Sequence, residues 1–336
     1  KVLRVKKKNR KVIWLLGAGA LLVLAVLLFY TVGRRLETGG QSQQRGDLTQ
    51  TEQAQTCVVD GITYRRRSDI LSILVMGVDR DSTQQSDGPY EGGQADFQRL
   101  IVLDTTHGTV QQLKIDRDTI TDVVMLGYLG SPIGTKKMQI SLAHGFGDGR
   151  EESCEYAQQA VEALLGEDTV DYYLAMNLDG IPTLNDLAGG VTVTLEDDFS
   201  DMDPAMVQGA TLTLHGKQAE YFVRSRMNIG EGTNEARMVR QEAYLEQLLT
   251  QLREQLGQEK QRTAEVLDAM ADYVVTDMPR GRMINEIWAA RDYTVEPALA
   301  LEGEHKVAED GFMEFYPTES SIQQAVLELF WEPVTG

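Results

Sequence analysis

Four arginines crowd the stretch from Tyr221 to Tyr244: Arg224 and Arg226, then Arg237 and Arg240. Guanidinium forks match phosphate oxygens, so the stretch is a candidate anion site. Read as a strand, residues 220 to 226 aim Arg224 and Arg226 at one face. Beyond the connection at 228 to 234, a helix would bring positions 237, 240 and 241 onto one face. The competing reading pairs these arginines with surface carboxylates, which are abundant. Further charged residues follow apolar runs: Asp79 and Arg80, then Arg117 and Asp118, with Asp96 between them. Asp79 and Asp96 offer the oxygen ligands that a hard cation such as Mg2+ or Mn2+ takes while it bridges to substrate phosphates.

Residues so far apart in sequence need a fold that gathers strand ends, as open α/β sheets do. Ile70 to Met76 is a compact apolar run that stops at Gly77, Val78, Asp79 and Arg80, the pattern of a buried strand. Leu100 to Asp104 and Val110 to Ile115 read as a hairpin around Thr105 to Thr109. A glycine-rich loop ends at Gly149, and an amphipathic helix follows from Glu152 to Leu165, closed by Gly166. Tyr172 to Met176 reads as a strand, Leu178 to Leu187 as a helix, and Gly189-Gly190 as a turn into the strand Val191 to Leu195. Thr211 to Leu214 and Glu220 to Arg226 read as strands. Helices are expected from about Met238 to Leu252 and from Thr263 to Val275. Two short strands around residues 294 to 316 and a helix from Ser320 to Phe330 close the chain. The expected class is α/β, an αβα sandwich with a central mixed β-sheet.

Net charge is -19, yet the first 35 residues carry nine Lys or Arg and no acid, leaving 23 bases against 51 acids. Such a surface repels nucleic acid. Residues 1–11 form a basic leader, and 12–32 form a charge-free apolar run long enough to span a bilayer as one transmembrane helix. The positive-inside rule puts the leader in the cytoplasm and everything after the helix outside. Residues 33–57 read as a flexible tether, 58–280 as the main extracellular globular domain and 281–336 as a C-terminal extension packed on it. Cys57 and Cys154 are either unrelated thiols or one disulfide, the latter requiring an oxidising compartment. His107 and His144 read as loop or packing residues, since no second His stands at metal spacing. The acidic runs Glu196 to Asp198 and Asp201 to Asp203 read as a solvated loop, with Ca2+ binding as the alternative.

The chain carries, in order, Ile-Leu-Val-Met-Gly-Val-Asp-Arg (73–80), Ala-Asp-Phe (95–97), Lys-Ile-Asp-Arg-Asp-Thr (114–119), Gln-Ile-Ser-Leu-Ala-His-Gly-Phe-Gly (139–147), Tyr-Tyr-Leu-Ala-Met-Asn-Leu-Asp-Gly-Ile (172–181), Leu-Ala-Gly-Gly-Val (187–191) and the arginine-rich stretch. In the order and spacing of these pieces it resembles the LytR-CpsA-Psr family of membrane-anchored wall-glycopolymer transferases. The resemblance covers roughly residues 70 to 250. It implies transfer of a polyprenyl-pyrophosphate-linked glycopolymer, of teichoic acid or capsule type, to peptidoglycan. Carried over, Asp79 and Asp96 would hold the metal. Arg80, Arg117, Arg224, Arg226 and Arg237 would contact the pyrophosphate with Gln241 adding a hydrogen bond, and Arg240 would support them. Asp118 is either the base or the orienting partner of Arg117. Two departures stand out: Gln139 where the family commonly has Lys, and Ala95-Asp96-Phe97 where it often has Ser-Asp-Thr. A binding scaffold without catalysis and a hydrolase of the same lipid-linked substrate are the alternative functions.

Overall fold

The computed structural model describes residues 56–80, 90–128, 130–225, 229, 240–241, 243–244, 247–248, 251, 260–290 and 293–334. The leader, the apolar run at 12–32, most of the tether, Arg226 and Arg237 lie outside these. No helix among the described residues is long and apolar enough to cross a membrane.

A seven-stranded mixed sheet forms the centre. Its strands are β3 (Ile70–Asp79), β4 (Gln94–Asp104), β5 (Thr109–Ile115), β8 (Tyr172–Asn177), β11 (Val274–Thr276), β12 (Thr294–Val295) and β13 (Leu299–Ala300). The order is β11-β8-β3-β4-β5-β12, with β13 also on β5. β3 runs parallel to β8 and antiparallel to β4. A strand covered on both faces must be apolar on both, which is why β3 reads as a continuous run. Leu74, Met76 and Val78 pack with Leu100, Leu113 and residues of two helices, α1 (Glu151–Leu165) and α6 (Glu319–Phe330). Leu71, Ile73 and Val75 turn to the opposite face, where Met283 and Ala290 of α5 (Arg280–Ala290) cover them. The expected mixed α/β sheet with helices on both faces is therefore present.

A second core gathers α2 (Gly180–Leu187), the β9–β10 ribbon (Val191–Thr194, Thr211–Leu214), α3 (Lys217–Arg224), and Val266 and Met270 of α4 (Lys260–Met270). Residues 220 to 226, expected as a strand, are instead helical as far as Arg224, and Ser225 ends the helix in an extended conformation. Ala219 and Phe222 are buried three apart, and Glu220 pairs with Arg224 one turn on, so the helical period decides. The helix expected to reach Val275 ends at Met270, and its last residues become β11, which pairs with β8. Two hairpins went unread: β1–β2 (Thr56–Val59, Ile62–Arg66), completed by β16 (Trp331–Pro333), and β6–β7 (Ile120–Leu126, Pro132–Gln139). β1 takes up Thr56 and Cys57, the last residues assigned to the tether. A last hairpin pairs β14 (Gly303–Val307) with β15 (Met313–Pro317).

Cys57 and Cys154 are both free thiols, which corrects the disulfide reading. Cys154 is fully buried in the main core, with Sγ 3.8 Å from His144 Nε2. His144 Nδ1 lies 3.1 Å from the Gly93 carbonyl and must carry the hydrogen there, so Nε2 is free to accept from the thiol. Burial pushes the thiol's pKa up and holds His144 down to about 4, keeping both neutral.

At the sheet end remote from Asp79, Asp69, Asp104 and His107 form the one group of three potential metal ligands among the described residues. The Arg67 guanidinium bonds Asp104 and lies 3.6 Å from Asp69, so an internal cation already balances them. Burial opposes the Asp104 charge, but the His107 N–H and ring and Arg67 together hold its pKa below the usual 3.8. A depressed carboxylate contributes stability present above its unfolded pKa and lost as pH falls through the folded one. Wild type should therefore exceed Asp104→Asn in urea-unfolding free energy at pH 7. The gap should close as pH drops below 3.8; a gap unchanged across that range would refute the assignment.

Candidate functional site

The charged residues converge at the end of β3 and β8, where two parallel strands stop together. Asp79 ends β3, and β4 returns beside it from Gln94. Gly93 makes this return possible: its φ is +76°, and an added Cβ would come within 3.0 Å of both the Asp79 carbonyl and Arg80 Cβ. In the ladder Val78 faces Ala95 and Gly77 faces Phe97, which leaves Asp96 as the extra residue of a β-bulge. Bulges re-aim side chains beside sites. Here the bulge delivers the Asp96 carboxylate to Arg117, whose Nη1 is 2.6 Å from Asp96 Oδ1.

Arg117 follows β5 in a short turn. The Asp116 side chain accepts from the Asp118 N–H at 2.9 Å, and the Asp116 carbonyl accepts from Thr119 at 3.0 Å. Ser141 N–H donates to the Arg117 carbonyl at 3.2 Å, so the backbone is pinned from a second side. The guanidinium then bonds Gln94 Oε1 at 2.8 Å, Asp96 at 2.6 Å and Asp118 Oδ1 at 3.5 Å. Asp118 is only 22% exposed. Burial raises its pKa, and Asp116 adds to this, while Arg117 and His305 pull it back. A carboxyl with raised proton affinity beside a cation is suited to accept a proton.

From the other side comes Arg224. Its Nη1 bonds Glu220 at 2.7 Å, and its Nη2 reaches to 3.6 Å of Asp79 Oδ1. The two halves read from sequence, carboxylates on strand ends and arginines beyond residue 220, therefore meet. Arg240 is structural: it donates to the Phe222 and Ser225 carbonyls, pairs with Asp197 at 3.3 Å and stacks over Phe199 and Phe222. Gln241 Nε2 donates to the Val223 carbonyl at 2.9 Å, tying its helical segment to the end of α3. Arg80 turns to the glycine-rich loop and donates to the Asp148 carbonyl at 3.2 Å. Gly149 admits this close approach, since a Cβ there would lie 1.2 Å from Arg80 Nη1.

Gln139 is not idle. Its Nε2 donates to Asp118 Oδ1 at 3.0 Å and to the Met313 carbonyl at 2.6 Å. The C-terminal hairpin also bonds the same turn, through Phe315 N–H to the Asp118 carbonyl at 2.8 Å and through His305 Nε2, 3.0 Å from Asp116 Oδ2. Neither His305 nor Asp116 was singled out from sequence, since 189 positions separate them. Within the acidic runs, Asp197 pairs with Arg240 and other members close turns. Asp198 accepts from Ser200 N–H, and Asp203 accepts from Ala205 N–H and Gln218, as turn residues do.

The chain has relatives of known name and fold. A protein from Bacillus cereus called polyisoprenyl-teichoic acid--peptidoglycan teichoic acid transferase TagU is 22% identical over 329 residues, spanning 96% of this chain and 97% of that one. Its namesake from Bacillus anthracis is 23% identical over 264 residues, 78% of this chain and 79% of the other. Among solved structures, protein gbs0355 of Streptococcus agalactiae shares the fold with a TM-score of 0.60 at 20% identity, covering 78% of this chain and 87% of its own. TagV of B. subtilis does so with a TM-score of 0.54, also at 20% identity, covering 78% and 96%. A model of the LytR_cpsA_psr family matches residues 34–325, nearly the whole chain and every strand end that carries the site, and the protein belongs to that family.

Proposed function

We propose that this chain transfers an anionic glycopolymer, of the teichoic acid or capsule type, from a polyprenyl-pyrophosphate carrier to a hydroxyl of peptidoglycan. The observation that carries the reading is the meeting of Arg117 and Arg224 with Asp96, Asp118 and Asp79 at one sheet end. The names of the Bacillus relatives agree with it.

In this reading Arg117 and Arg224, with Arg226 and Arg237, bind the pyrophosphate oxygens and stabilise the charge that develops on them. Asp118 takes the proton of the acceptor hydroxyl. The acceptor oxygen bonds the phosphorus next to the glycan, the pyrophosphate P–O bond breaks, and polyprenyl phosphate leaves with the bonding electrons. Asp79 and Asp96 are 56% and 35% exposed and come from adjoining strand ends. Two part-exposed carboxylates, each beside an arginine, suit Mg2+ or Mn2+, which takes few protein ligands and fills its other positions with water and phosphate oxygens. Bound there, the ion would neutralise charge on the pyrophosphate. The apolar run at 12–32 anchors the chain, with the catalytic domain on the outer side of the membrane where the acceptor lies.

The test mixes purified protein, a polyprenyl-pyrophosphate glycan, a peptidoglycan oligomer and Mg2+. Glycan covalently joined to the oligomer is the expected product, with loss of the reaction on chelation. Release of free glycan phosphate alone would show a hydrolase. Binding of intact donor without turnover would show a scaffold, and either result overturns the transferase reading.

A further inference from the structure

We propose that His305 is a positioning residue for Asp118, acting through Asp116; the inference rests on the reading of Asp118 as proton acceptor. The β14–β15 hairpin grips the 116–119 turn at several points. Phe315 N–H holds the Asp118 carbonyl, β15 bridges Thr119, and Gln139 links Asp118 Oδ1 to the Met313 carbonyl. These contacts fix the backbone and one side of the carboxyl. What remains is the direction in which the turn launches the Asp118 side chain.

Asp116 sets that direction. Its Oδ1 accepts from the Asp118 N–H at 2.9 Å, which closes the turn, and its Oδ2 faces His305 Nε2 at 3.0 Å. A carboxylate only accepts, so Nε2 carries the hydrogen. The imidazole is stacked on Phe315, centroids 4.5 Å apart and planes 33° from parallel, which restricts its rotation. His305 thus locks the Asp116 rotamer, and Asp116 locks the turn. The neighbouring side chains of β14 do other things: Glu304 and Lys306 pair with each other at 3.0 Å, and Lys306 lies over Tyr316. His305 and Asp116 are 49% and 36% exposed, so their pair adds little to global stability. Its loss should appear in rate.

Full-length protein is assayed with the lipid-linked donor and peptidoglycan oligomer. His305→Ala should lower kcat about tenfold, as small misplacements of reacting groups do, with donor KM and Tm unchanged. His305→Gln, whose amide nitrogen can donate to Asp116, should regain most of the rate. Amide exchange at Asp118 and Thr119 supplies a readout that needs no turnover: faster in His305→Ala, restored in His305→Gln. Wild-type kcat and exchange in His305→Ala, with Asp118→Asn inactive, would overturn the inference while leaving the base assignment intact. Equal slowing in both His305 variants together with a lowered Tm would overturn it too, as the mark of a merely structural role. A fully active Asp118→Asn would remove the base assignment, and the inference with it.

Discussion

Arg117→Ala should lower the transfer rate by about 10³-fold or more, the scale on which a phosphate-stabilising arginine acts. Arg117 bonds Gln94, Asp96 and Asp118 together, so its removal takes away the cation that the two carboxylates share. Donor affinity should fall with the rate, because in the proposed reaction the same guanidinium meets the pyrophosphate in the ground and transition states. Arg117→Lys should recover little, since an ammonium cannot bond three acceptors in one plane. Stability should change by no more than about 1 kcal/mol, because the side chain is 34% exposed and its pairs are partly solvated. Steady-state kinetics with a melting curve for each variant checks this. A wild-type rate in Arg117→Ala would refute the role.

The strands that carry the site were legible because burial on both faces writes a continuous apolar run, as in β3. The helix α1 was legible because its buried positions, Cys154, Ala157 and Val161, recur at helical spacing and Gly166 ends it. The β6–β7 hairpin escaped because most of β7 is exposed and so shows no apolar alternation. The strand reading of residues 220 to 226 failed for a different reason. Seven residues with Phe222, Val223 and Tyr221 satisfy either period, and only the second core, which takes Ala219 and Phe222 together, selects the helix. The residue types of the site were readable at the strand ends, but their pairing was not. The bulge that aims Asp96 is a property of register between two strands, and a register is a tertiary fact. The same holds for Arg240, whose guanidinium could as well have met an anion until Phe199, Phe222 and Asp197 closed around it.

Asp118→Asn should slow transfer by about 10²- to 10⁴-fold and at the same time make the protein more stable at pH values above the Asp118 titration. The two effects have one cause. Burial, with Asp116 nearby, raises the Asp118 pKa above its ordinary 3.8, so the native state binds this proton more tightly than the unfolded chain does. The stability from that proton is complete below 3.8 and is lost as pH rises through the folded value. Above that folded value the wild type carries an ionised carboxylate in a half-buried place, and asparagine relieves it while still accepting from Gln139. In the proposed reaction catalysis depends on that same ionised form, because only the carboxylate can take the acceptor's proton, so the rate should fall as pH drops through the raised pKa. Loss of the base should cost about 10²- to 10⁴-fold. Gln139 matters here: it is a neutral donor to Asp118 Oδ1 at 3.0 Å, and a cation in its place would favour the ionised form. Gln139→Lys should accordingly shift the acid limb of the pH–rate profile to lower pH, whereas Gln139→Leu should shift it upward. If Asp118 only orients Arg117, asparagine keeps an acceptor for the guanidinium and the rate survives, with an acid limb indifferent to residue 139.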